Sequence, residues 1–123
     1  MNIDNLIKLA QLLDGGEKTS QTQSEDLFLG KYVIVRTYSA GVFAGTLKSR
    51  NGNKIVLENS RRLWKWHTAN NGVSLSEVGK FGILQKDSKI CCVEELKEIE
   101  PIEITIASTA SRESIEGAKD YVA

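Results

Sequence analysis

Asn51-Gly52-Asn53 constrains this chain more than any other segment. Asn-Gly takes the positive backbone dihedrals of a tight hairpin turn with little strain, and here it lies between two alternating runs, Val42 to Ser49 and Lys54 to Asn59. Those runs are expected as paired antiparallel strands. Upstream, Ala40-Gly41 makes a second turn after Tyr32 to Tyr38, a run apolar on both faces at its start, as an interior strand is. Downstream, Arg61 to Trp66 alternates again and reads as a fourth strand. The span from Tyr32 to Trp66 is therefore a β-meander.

The flanks use other periods. Ile3, Leu6, Ile7, Ala10 and Leu13 fall on one helical face, capped by Asn2 or Asp4 and stopped by Asp14-Gly15-Gly16. A helix this short is marginal alone, so it must dock, on its own domain or across a subunit interface. A polar linker follows. After the break at Asn70-Asn71-Gly72, Ser74 and Glu77 fit a capping box that starts a helical turn, with Gly79 as its end. Strands are expected at Phe81 to Leu84, Lys89 to Val93, Leu96 to Ile99 and Ile102 to Ala107, with Pro101 at a bend or edge. Arg112 to Tyr121 reads as a helix with Ser111 as its cap, weakened by Gly117. The fold class is α+β: an antiparallel sheet or meander core, an N-terminal helix and a short C-terminal helix. The divisions are 1–16 for the docking helix, 17–26 for the linker and 27–123 for the β-rich core.

Charge excludes one class of partner. Sixteen basic and sixteen acidic residues give zero net charge, whereas a protein that coats long nucleic acid draws its affinity from a positive excess. A small anion held by two or three arginines remains compatible. Basic residues gather at Lys48, Arg50, Lys54, Arg61, Arg62 and Lys65, and Glu94 to Glu103 is acidic. No apolar run has the length of a membrane span, and the N-terminus lacks a signal peptide's layout. The two cysteines, Cys91 and Cys92, are adjacent, and a ring between neighbours closes almost no loop. They are expected as reduced thiols in a cytosolic protein. A chain of 123 residues buries proportionally little surface, which favours a homo-oligomer, dimer or higher.

The residues point to binding and not to catalysis. His67, the one histidine, has no nucleophile motif beside it, no Cys/His spacing suits zinc, and no glycine-rich phosphate loop is present. No enzyme, cofactor or metal is expected. In Arg61-Arg62-Leu63-Trp64-Lys65-Trp66, alternation puts Arg62, Trp64 and Trp66 on one face. Two indoles and a guanidinium can stack a base and neutralise a phosphate, or the tryptophans can be core. Before the last helix, Ala107-Ser108-Thr109-Ala110-Ser111 supplies hydroxyls and a helix start whose free N–H groups favour an anion. Arg112 there opposes the helix dipole unless an anion arrives, or unless it pairs with Glu113 or Glu116.

Taken together, the run from Gly30 to Leu47, then Lys54-Ile-Val-Leu-Glu-Asn and Arg61-Arg-Leu-Trp, resembles the bacteriophage Thoeris anti-defence proteins. Weaker echoes continue from Glu103 to Glu116. The resemblance implies a protein of the host cytoplasm that binds cyclic ADP-ribose isomers without cleaving them and so starves a defence effector. Some members also take up cyclic oligonucleotides at a separate site in a higher oligomer. By that likeness Arg112, Thr109 and Ser108 hold phosphates, Phe81 or Tyr38 stacks the base, and Arg61 and Arg62 serve the same ligand or the second nucleotide site.

Two other classes compete. Strand, glycine turn, strand, Asn-Gly turn, strand is also the run of Sm-like and SH3-like small barrels, many of which bind RNA. Val-Leu-Glu-Asn before two arginines is similar to the Sm pattern. Zero net charge and the polar linker speak against it. A purely structural phage component is the third reading.

Overall fold

The computed structural model describes residues 26–122. The helix expected at Ile3 to Leu13 and the linker up to Glu25 lie outside them. The described elements are β1 (Tyr32–Thr37), β2 (Val42–Asn51), β3 (Lys54–Lys65), α1 (Leu75–Phe81), a 3-10 turn (Gln85–Asp87), β4 (Lys89–Ile99), β5 (Pro101–Ile106) and α2 (Thr109–Glu116). The five strands form one sheet in the order β4-β3-β2-β1-β5, and every neighbouring pair is antiparallel. The chain is thus α+β with a β-rich core.

The order has a geometric consequence. β4 and β5 occupy opposite edges, yet only Glu100 separates them. One linking residue spans no more than about 7 Å. The sheet must therefore curl until its edges approach at that corner, giving a partly open barrel. Its concave side holds Val33, Val35, Phe43, Leu47, Ile55, Leu57 and Ile99. The opposite face of the same strands carries Tyr32, Ile34, Ala44 and Leu63, covered by Val78 of α1, Ile83, Ile90 and Ile115 of α2. β1 is sandwiched between two cores, which is why its sequence is apolar on both faces.

The turns form where glycine permits them. Gly52 sits at φ 64 in the two-residue β2–β3 connection, and Gly41 at φ 106 closes the β1–β2 loop. Thr37 pins that loop, accepting from Ala40 N at 2.9 Å and donating from Oγ1 to Gly41 O at 2.8 Å.

Several expected boundaries move. Lys54 to Asn59 and Arg61 to Trp66 are one long strand, Lys54–Lys65, with a bulge where Asn59 takes φ 53 and the register against β2 shifts. Lys89 to Val93 and Leu96 to Ile99 likewise merge, because Glu94 continues the ladder opposite Ser60. The capping box at Ser74 and Glu77 forms as read, but Gly79 does not end α1. A Cβ at Gly79 would lie 2.9 Å from Thr105 Cγ2, so this glycine serves close packing on β5. Gly82, at φ 92, ends the helix instead. Phe81 is thereby helical, and of the expected strand Phe81 to Leu84 only Ile83 makes a bridge, to Thr68. Finally, α2 starts three residues early, because Ser108 is its cap and Ser111 is buried beneath it. No helix among the described residues is long and apolar enough to cross a membrane.

Candidate functional site

Three serines on α2, spaced by three, fasten the two helices together. Ser108 donates from Oγ to Lys80 O at 2.8 Å and from its backbone N to Gly79 O at 2.8 Å. Ser111 Oγ donates to Val78 O at 2.6 Å, and Ser114 Oγ accepts from Ile83 N at 3.0 Å. Gly79 O and Lys80 O, at the end of α1, gain their partners from Ser108, while Val78 O accepts from Ser111 in addition to the Gly82 N–H of its own helix cap. The end of α1 is thus fixed against the start of α2.

This seam brings Ser108, Thr109, Arg112 and Phe81 to one junction. Ser108 Oγ is occupied there, donating to Lys80 O and accepting from Ser111 N at 3.0 Å. Thr109 is exposed, and the N–H groups of Thr109 and Ala110 find no acceptor among the described residues. Arg112 is half exposed and pairs with Glu116 at 3.1 Å. Its guanidinium also lies 5.0 Å from the centroid of the Tyr32 ring. Phe81 is 41% exposed, with Lys80 Nζ 5.4 Å from its ring centroid. Lys80 was not marked out by any motif, since only the docking of α1 on α2 sets it beside Ser108. A shallow hollow of about 280 Å³ opens beside Ser108, lined by Gly79, Lys80, Thr105 and Ser108 among others but not by Phe81, Thr109 or Arg112.

Tyr32 forms the floor under Arg112. It is 5% exposed, and its hydroxyl is buried without a hydrogen-bond partner. Burial, reinforced by the negative charge of Glu116, raises its phenol far above the ordinary tyrosine range, while Arg112 and Arg61 pull weakly the other way.

The other expected contacts lie elsewhere. Tyr38, 90% exposed, stands at the far end of β1, about 20 Å from Tyr32 by strand rise. It borders a hollow of about 510 Å³ with Glu98 and Glu100, an acidic setting. Arg61 and Arg62 point to opposite faces of β3. Arg61 is 2% exposed and spends its guanidinium on Cys91 O (2.8 Å), Ile115 O (2.8 Å), Ala118 O (2.7 Å) and Asp120 Oδ1 (2.8 Å). It ties the end of α2 to the sheet. Arg62 lies over Phe43, 4.8 Å from the ring centroid, and borders a hollow of about 330 Å³ with Trp64 and the β1–β2 loop.

The expected shared face of Trp64 and Trp66 is broken. The register shifts between Leu63 and Lys65, and the strand ends there. Trp64 stays 65% exposed, while Trp66 packs against the helix-side core. His67 is exposed, its backbone N donating to Ser88 Oγ at 3.0 Å. Cys91 is half-buried and Cys92 exposed, both as free thiols.

No curated protein and no solved structure matches the chain. A family profile described as Domain of unknown function (DUF6948) matches residues 30–115, which take in all five strands and most of α2. That is well over half of the sequence, and the chain belongs to this DUF6948 family.

Proposed function

We propose that the protein is a bacteriophage anti-defence sponge that binds cyclic ADP-ribose-type signals in the host cytoplasm and withholds them, uncleaved, from a Thoeris effector. The observation that supports this reading is the α1–α2 junction. It combines an exposed aromatic ring at Phe81, cations at Lys80 and Arg112, and free N–H groups at the start of α2. A cyclic dinucleotide-like ligand carries a pyrophosphate and an adenine, and those groups suit each in turn. Arg112 exchanges Glu116 for phosphate, Thr109 and the neighbouring amides take further oxygens, Ser108 holds the helix start in place, and Phe81 stacks the base. An anion at this point also removes the unfavourable meeting of Arg112 with the helix dipole.

The junction is shallow on one chain. Sequestration needs the ligand covered, so the reading includes a homo-oligomer, dimer or higher, in which a second copy closes the site. Cyclic oligonucleotides are a further ligand class under the same reading, with Arg62 as a contact.

The test is retention. Purified protein is incubated with the product of a TIR-domain enzyme, washed, heat-denatured, and the supernatant examined by mass spectrometry. Intact cyclic ADP-ribose released only on heating supports the sponge. Degraded product would make the protein an enzyme, and no retention at micromolar protein removes the reading.

One observation favours a second reading. The single residue between the edge strands β4 and β5 curls the sheet toward a small barrel, which supports the Sm-like or SH3-like reading. Fold does not carry function, and the zero net charge still weighs against RNA. RNA affinity that falls steeply with salt would support it.

A further inference from the structure

At the far end of α2, about 13 Å along its axis from Ser108, the chain folds back onto β4. Ile90 and Asp120 form a parallel bridge, and Tyr121 N donates to Ile90 O at 2.7 Å. Gln85 Nε2 donates to Ser114 O at 2.9 Å and holds the 3-10 turn against α2. Between these fixed walls lies a hollow of about 510 Å³, bordered by Gln85, Lys86, Ser88, Lys119, Asp120 and Tyr121.

Charge is unbalanced around it. Lys86 and Lys119 stand on the walls, and Lys89 holds its ammonium 4.9 Å from the centroid of the Tyr121 ring. Lys65 is the cross-strand partner of Lys89, and like charges directly opposite are unfavourable. None of these four lysines has a carboxylate within ion-pair distance among the described residues. Among the described residues, the one carboxylate bordering the hollow is Asp120, whose Oδ1 is taken by Arg61. Asp87 is exposed in the 3-10 turn, Glu113 and Glu116 lie on α2 with Glu116 paired to Arg112, and the glutamates of β4 begin at Glu94, further along the strand.

The end of α2 does not supply the missing counter-charge. A helix C-terminus attracts cations through its free carbonyls. Here Arg61 already donates to Ile115 O and Ala118 O from the sheet side. The lysines are therefore surplus to the helix, and they face a preformed hollow.

We propose that this hollow is an anion site, distinct from the α1–α2 junction, that takes the phosphate of a small phosphorylated ligand. Lys86 and Lys119 hold the phosphate from two walls. Ser88 Oγ accepts from His67 N and keeps its own proton to donate. Tyr121 offers an apolar wall to the organic part of the ligand. Lysine, with three rotatable donors on a flexible stem, suits a phosphate reached from several sides. The volume lies within the range of about 300–1,000 Å³ usual for small-ligand sites. Lys119, Asp120 and Tyr121 fall outside the segment 30–115 matched by the family, so this site depends on the chain's own tail.

The test is an amide-resolved NMR titration of the full chain with inorganic pyrophosphate at low salt. Saturable shifts at Lys86, Ser88 and Lys119 to Tyr121 are expected, together with an unchanged titration in Arg112→Ala. The double variant Lys86→Gln/Lys119→Gln should weaken binding about tenfold or more, the scale of one lost charge-assisted hydrogen bond. The Tyr121 amide, still protected from exchange in that variant, reports that the tail is in place. Shifts confined to Lys80, Thr109 and Arg112, no saturation at millimolar pyrophosphate, or an equal loss in a Lys48→Gln/Lys54→Gln control would each overturn the site. A positive result with no retention of cyclic ADP-ribose would leave this site standing while the sponge reading fell.

Discussion

Replacing Arg61 tests the claim that this guanidinium holds the tail of the fold and does not contact ligand. The side chain makes four hydrogen bonds at 2.7–2.8 Å, three of them to backbone carbonyls of β4 and the end of α2. A hydrogen bond to a charged group contributes about 1.5–3 kcal/mol, so a naive sum approaches 6–12 kcal/mol. That sum counts one desolvated charge several times, and the Asp120 partner is 59% exposed, which screens its share. Breaking a buried charged network by removing one partner usually costs about 3–5 kcal/mol, and Arg61→Ala should fall there. Against a total stability of about 5–15 kcal/mol, the variant is folded but fragile. With an m-value of about 1–1.5 kcal/mol/M, the urea midpoint falls by about 2–5 M. Arg61→Met fills most of the space and should lose less. In both variants the amides of Ala118 to Tyr121 should exchange faster, since Arg61 clamps that segment. A loss under about 1 kcal/mol, with the tail still protected, would refute the reasoning. So would a folded Arg61→Met protein that loses nucleotide as fully as Arg112→Ala does, because Arg61 would then be a ligand contact.

The remaining predictions use the same structure. Arg112→Ala should weaken binding of the cyclic nucleotide by about 1.5–3 kcal/mol in calorimetry, with little change in stability, since its Glu116 pair is exposed. Tyr32 binds its proton more tightly folded than unfolded, so stability should be unaffected below its ordinary value and fall as pH rises through and above about 10, by up to about 1.4 kcal/mol per pH unit. Tyr32→Phe should flatten that slope in urea unfolding series and be neutral or stabilising at pH 7, because the lost hydroxyl is buried and unpaired. Ser74→Ala should cost about 0.5–2 kcal/mol by removing the α1 capping box, read as a drop in melting temperature. Gly79→Ala should destabilise although alanine favours helix, because the added methyl meets Thr105; an unchanged or higher melting temperature would show that β5 yields.

What was legible in the sequence is what local chemistry decides. Asn51-Gly52, the alternation of β1 and β2 and the Ser74/Glu77 box act within a few residues, and each forms where the pattern puts it. The misread boundaries share a different cause. Gly79 and Gly82 are equally plausible helix stops by sequence, and only the approach of Thr105, more than twenty residues on, gives Gly79 to packing and Gly82 to the cap. Ser108 and Ser111 are equally good caps, and burial against Val78 separates them.

The same logic divides Arg61 from Arg62. They are adjacent and chemically identical, and a basic pair on a strand invites one shared role. A strand turns neighbours to opposite faces, however, and the face under α2 presents the carbonyls of Ile115 and Ala118, to which the long Arg61 side chain donates. Once Arg61 satisfies them, the end of α2 needs no further positive charge. The lysines gathered beside it then lack a structural purpose within the described residues. The buried Arg61 clamp is thus what makes the exposed lysines around Tyr121 informative.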